Sequence, residues 1–351
     1  MDEIHTNQRC KMLQSKPLSL GSLALTSLIC FAGAPVLAQS AADFYKGKTV
    51  TIVVGTGAGG GYDFYGRLVA RYIPAHIPGN PNVIVTNMPG AASRVAAMHL
   101  NSAAPKDGTV IGHLNDNIVN NALLDDKISF DIRKFNWLAR LNSYVGVGAA
   151  SKASGVTSVK DALTREVVVG ATAVGSNNSL VPALLNRFEN AKFKIVYGYK
   201  GSQDISLAME RREVDVVGSL GWEALKPDLS MRQSLNLLYQ FGIERHPDLP
   251  DVPVMHELGT TPESKAILKF FAAGATIGRS FVAPPGVPAD RVKILRTAFQ
   301  SMLSAKDFKE DLKKQNIELD PATGERMAEI VAEVLATPPN IIALGKEAMK
   351  K

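Results

Sequence analysis

The sequence predicts an α/β protein of two similar units in tandem, each a doubly wound, mainly parallel sheet. Three observations carry that expectation. Short β-branched runs alternate with segments of helical periodicity, the order of βαβ units. The alternation occurs twice along the chain, and in each block a loop rich in glycine or small polar residues follows the first strand. With 351 residues, 46% of them apolar, the chain is long enough to bury two cores.

In chain order, Val50–Val54 is the first strand. Tyr65, Leu68, Val69, Tyr72 and Ile73 then fall at helical spacing. Val83–Val85 reads as a strand, Ala91–Leu100 as a small-residue helix and Thr109–Leu114 as a strand. Trp137–Ala149 reads as one long extended segment. The second block has strands at Val167–Gly170, Lys194–Tyr197 and Val214–Val217, helices at Leu180–Phe188 and Ile205–Arg212, and a further strand at Leu235–Phe241. His246–Val254 holds three prolines and excludes a regular helix or a central strand. Phe281–Pro288 reads as a proline-rich turn feeding a helix with Val292, Leu295, Phe299 and Met302 on one face. Leu312–Leu319 and Met327–Leu335 are the final elements, with Pro338 and Pro339 ending the last.

The first 38 residues have a different character. Arg9, Lys11 and Lys16 precede an uncharged run from Leu18 to Ala34. Val36-Leu37-Ala38 then fits a small-x-small cleavage site, so 1–38 is read as a signal peptide with Gln39 as the new N-terminus. At about 17 residues the run is at the short limit for a membrane span, and a retained anchor is the alternative. Both cysteines, Cys10 and Cys30, lie in this segment. The mature chain would then carry no disulfide and no thiol nucleophile, which suits the oxidising periplasm. It would keep 36 basic against 31 acidic side chains. That mild excess favours anionic partners and is too diffuse for nucleic acid.

Gly55-x-Gly57-x-x-Gly60 spells a dinucleotide fingerprint after a strand. A dinucleotide site also needs an acidic residue after the second strand to hold the ribose. No Asp or Glu occurs between Asp63 and Asp107, and no cofactor is expected. Gly47-Lys48-Thr49 precedes its strand, with Ala42 where a phosphate loop has glycine. No nucleophile elbow or His-Glu-x-x-His motif is present. His76, His99, His113, His246 and His256 show no ligand spacing and are expected at the surface or in caps. Neither a catalytic set nor a metal site is assigned.

The loop from Gly55 to Asp63 does offer bare backbone N–H groups at a helix start, an anion site by geometry and dipole. A tight turn that binds nothing is the alternative. Gly170–Ser179 also follows a strand and opens a helix, and its hydroxyl and amide groups suit either N-capping or ligand oxygens. Ligands in open α/β sheets sit at such strand ends, so two facing units would place both loops on one cleft.

The ordered motifs resemble the substrate-binding proteins of tripartite tricarboxylate transporters, the Bug family. The resemblance runs through Gly55–Asp63 with Arg67, Val83–Ser93, Ala104–Gly112, Gly170–Leu180, Gly198–Val217, Arg245–Gly259 and Ala283–Val292, nearly all of 43–347. It implies a two-domain periplasmic binding protein of type II, a Venus flytrap, with a small carboxylate held between the domains. Domain 1 is expected at 43–145 plus 276–351 and domain 2 at 146–275, with hinge segments near 140–150 and 235–283. Gly55-Thr56 replaces the family's usual Pro-Phe pair, Tyr62 stands where a small hydroxyl residue is common, and Ser179 ends the second loop where His is frequent. Gly218–Trp222 replaces an acidic stretch.

The expected ligand site therefore comprises Thr56, Gly60, Gly61, Tyr62 and Asp63 from the first unit and Thr172, Gly175, Ser176, Asn177 and Trp222 from the second. Asp63 is expected to cap its helix and fix the loop, because a carboxylate beside an anionic ligand repels it. The expected function is non-catalytic capture of a small organic anion for the membrane permease subunits of such a transporter, by a monomer. A periplasmic sensor docking on a receptor kinase is the alternative, and an exported α/β enzyme a third.

Overall fold

A computed structural model describes residues 41–348 apart from Lys127 and Glu318, so the 1–38 leader lies outside the described residues. Its strands are β1 (Thr49–Val54), β2 (Asn82–Asn87), β3 (Val110–His113), β4 (Asn136–Arg140), β5 (Gly146–Ser151), β6 (Val167–Ala171), β7 (Phe193–Tyr197), β8 (Val216–Gly221), β9 (Leu235–Phe241), β10 (Ser280–Ala283) and β11 (Ala322–Thr323). They form two sheets, ordered β11-β4-β10-β3-β1-β2 and β7-β6-β8-β5-β9. β1 pairs in parallel with β2 and β3, and β6 with β7 and β8. β10 and β5 run antiparallel to both of their neighbours.

The inner parallel strands β1, β3, β6 and β8 are covered on both faces, which is why they are mainly apolar, whereas the edge strands β2 and β7 are partly exposed. Val50, Ile52 and Val54 point to one apolar cluster and Val53 to the opposite one. Val167 and Val169 likewise face one cluster in the second sheet, and Val217 faces the other.

The single extended segment expected at Trp137–Ala149 is instead two strands in different sheets, β4 and β5. Between them the chain crosses from one sheet to the other, and it crosses back before β10. The two crossings lie side by side: the Leu141 N–H donates to the Arg279 carbonyl (3.1 Å), the Arg279 N–H to Asn142 (2.9 Å) and the Tyr144 N–H to Ala275 (2.9 Å). Gly278, at φ +54°, packs where a Cβ would strike the Asn142 carbonyl, so the close approach requires glycine.

Phe281, expected in a turn, lies in β10, a buried interior strand. The Pro339–Ala348 helix begins where Pro338 and Pro339 were expected to end the chain's last helix, since proline is well placed in a first turn. Its Ile341, Ile342 and Leu344 pack on the second sheet's cluster with Leu124 and Ile267. The end of 276–351 thus joins the other side of the molecule.

Candidate ligand-binding cleft

A cavity of about 360 Å³ lies between the sheets, within the size range of small-molecule sites. Residues just beyond the parallel strands line it: Gly55 after β1, Pro89 after β2, Asn115 after β3, Thr172 after β6, Gly198 after β7 and Ser219–Gly221 at the end of β8. Thr56, Gly60, Gly61, Tyr62, Thr172, Ser176 and Asn177 all border it.

The first loop leads from β1 into the Gly61–Tyr72 helix. Gly60 supplies no side-chain cap, and Ser176, before the Asn177–Phe188 helix, makes no side-chain cap bond either. Two helix starts therefore present backbone amides at the cavity, the arrangement that attracts anions. The loop is fixed from behind. Asp63 accepts from the Gly59 N–H (3.0 Å), Arg67 Nε (2.9 Å) and Asn87 Nδ2 (2.9 Å). Burial acts to raise the Asp63 pKa, but these hydrogen bonds hold it below the usual carboxylate range. Asp63 does not line the cavity.

Tyr62 turns its ring to the cavity and its hydroxyl inward, donating to Asp116 Oδ1 (2.7 Å) and accepting from the Asp116 N–H (2.9 Å). Asn177 Nδ2 donates to the same Oδ1 (2.8 Å), and Asn117 Nδ2 donates to Asn177 Oδ1. The Asn177 amide thus ties the second helix start to the segment after β3. Ser176 Oγ donates within its own loop, to the Ala173 carbonyl (2.7 Å). Thr56 Oγ1 is buried without a protein partner.

Besides Asp63, two further expected site residues lie elsewhere. Gly175 adopts φ +77° and faces Asn121, whose Nδ2 donates to its carbonyl (3.3 Å). Trp222 is buried in the second sheet's outer cluster with Leu225 and Leu249, its indole N–H donating to Asp248 (3.2 Å). An apolar neighbourhood and a carboxylate acceptor hold it away from the cavity. His113, expected at the surface or in a cap, is fully buried at the end of β3. Its Nδ1 meets the Ser280 carbonyl (2.8 Å), its ring stacks on Phe281, and burial drops its pKa to about 3.

The residue missed in the sequence is Arg279. It lines the cavity yet is 2% exposed. Its guanidinium lies over the rings of Tyr62 (4.4 Å), Tyr144 (4.6 Å) and Tyr65 (5.2 Å), a cation–π setting. Nη2 donates to Glu223. Nε and Nη1 are buried with no hydrogen-bonding partner. Burial opposes its charge, but Glu223 and the tyrosines outweigh that and raise its pKa. The signal was one arginine at the head of the apolar run Ser280–Ala283.

Two α/β sheets joined by paired crossings, with a cavity at their facing strand ends, define a solute-binding protein of the periplasmic type. Solved structures share this fold. The periplasmic binding protein BugD aligns with a TM-score of 0.69 at 19% identity, covering 87% of this chain and 98% of that one. MatC of Rhodopseudomonas palustris, with bound malate, aligns at 0.65 and 20% identity (86% and 99% covered). R. palustris Rpa4515, with adipate, aligns at 0.64 and 22% identity (86% and 96%). Residues 73–345 match the family of tripartite tricarboxylate transporter receptors, TctC, and the chain belongs to it. That match begins after the first glycine loop, the stretch whose Gly55, Thr56 and Tyr62 depart from the resemblance noted above.

Proposed function

We propose that this protein captures a small organic anion bearing a carboxylate in the periplasm and hands it to the membrane permease of a tripartite tricarboxylate-type transporter, as a monomer and without chemical turnover. One observation carries the reading: two uncapped helix starts and a buried arginine converge on a single cavity between the sheets. Each supplies positive potential or bare N–H donors, and the surrounding Tyr62, Tyr144 and Leu220 accept an apolar body. The malate and adipate held by MatC and Rpa4515 are of this chemical class. The paired crossings at 141–145 and 274–279 serve as the hinge about which the two sides close.

A thermal-shift screen of the protein against di- and tricarboxylates, aromatic acids and amino acids tests the reading. A ligand at about 100 times its dissociation constant adds roughly 2.7 kcal/mol to stability. The expected result is an upward shift for a subset of carboxylates and none for their amides. No shift with any organic acid, repeated by calorimetry, overturns it.

A further inference from the structure

The anion site is already in contact with a carboxylate of the protein itself. Glu223 lies just beyond β8, between the lining residues Gly221 and Ala224, and bonds Arg279 Nη2. The pair packs directly against the start of the first helix: a Cβ on Gly61 would lie 2.9 Å from Arg279 Nη2 and 3.5 Å from Glu223 Oε1. The second glycine of Gly60-Gly61 therefore has a role beyond the turn, leaving room for a guanidinium to reach a helix N-terminus. Two positive ends meet there, and such a juxtaposition is stable only with negative charge beside it. Glu223 supplies one carboxylate, 13% exposed. It engages one nitrogen of the fork, while Nε and Nη1 keep no protein partner.

Resting on the carboxylate reading above, we propose that Arg279 anchors the ligand carboxylate through its free N–H groups, and that Glu223, by sharing the same guanidinium, sets the affinity. Glu223 keeps Arg279 compensated in the empty cleft, because a buried cation stripped of its partner is costly. It also repels a second carboxylate arriving on the same fork. The affinity for anions is thereby held below what Arg279 and the two helix starts would give alone. Arginine suits the role because its planar fork presents separate donors to two carboxylates.

The test is calorimetric titration of the wild type, E223Q and R279Q with malate, adipate and benzoate. E223Q keeps a side-chain acceptor for Nη2 while removing the charge. It is expected to bind whichever acid the wild type binds about tenfold or more tightly, the scale of deleting a like charge near a partly buried anion. R279Q is expected to lose at least as much. Should R279Q fail to fold, E223Q decides alone. Wild-type binding with no gain in a folded E223Q overturns the proposal and leaves the carboxylate reading standing. No binding of any acid by wild type or E223Q overturns both.

Discussion

Asp116 follows β3 with no exposed surface. Its Oδ1 accepts from Tyr62 and Asn177, whereas its Oδ2 is buried without a partner. Burial raises the carboxyl pKa against the hydrogen bonds and the Arg279 charge that lower it. An acid whose folded pKa is raised contributes stability that is full below its unfolded value of about 3.9 and is lost as pH rises through the folded value. Asn at this position keeps the Oδ1 acceptor and removes the buried charge. D116N is therefore expected to melt higher than the wild type at pH 8, and the gap is expected to shrink as pH falls toward 4. Thermal melts across that range check it. A D116N protein less stable than the wild type at pH 8 would mean that the ionised carboxylate holds the two sides together.

The segment before the Arg94–Ser102 helix shows what an element demands of its backbone. Ala91, Ala92 and Ser93 take φ of +46°, +53° and +69°, a left-handed turn directly after Gly90 on the cavity wall. L-residues pay roughly 1–2 kcal/mol each in this region. The helix expected from Ala91 therefore starts three residues later, and Ser93 instead turns its hydroxyl to the Gly55 carbonyl (2.9 Å), pinning the first loop. A91G is expected to stabilise the protein by about 0.5–1 kcal/mol, the relieved strain less the added freedom of the unfolded chain, read from urea denaturation. A lowered midpoint would show that the turn is unstrained, because the added freedom of the unfolded chain would then act alone. The strands of both parallel cores were legible because burial on two faces demands unbroken β-branched runs, as in Val50–Val54 and Val167–Gly170. β10 was not, because its four residues run straight into Pro284 and Pro285, whose punctuation outweighs so short a strand. The two cavity loops were legible from composition. Arg279 was not, since its partners Glu223, Tyr62 and Tyr144 come from three other segments that only the crossing of the chain brings together.

Across the whole molecule the two sides touch at both ends of the cavity. Near its floor, Asn177 bonds Asp116 and Asn117. At its mouth, the first glycine loop meets the turn after β7: a Cβ on Gly57 would lie 2.7 Å from the Lys200 carbonyl and 3.3 Å from Lys200 Cβ. Backbone cannot yield as a flexible side chain does, so a single methyl there holds the mouth apart. Gly57 is not among the residues of positive φ, and alanine therefore adopts its conformation without strain. The substitution separates closure from folding. G57A is expected to keep the wild-type melting midpoint in the absence of ligand, within about 0.5 kcal/mol. Its affinity for the cognate acid is expected to fall roughly tenfold, because ligand-bound closure is the state it opposes. Small-angle scattering with saturating acid should give G57A a larger radius of gyration than the wild type. The faster dissociation should account for most of the affinity loss, since the open cleft still admits the ligand. If G57A binds and compacts as the wild type does, the contact at Lys200 is not part of the closed state, and the hinge must act elsewhere than between these two loops.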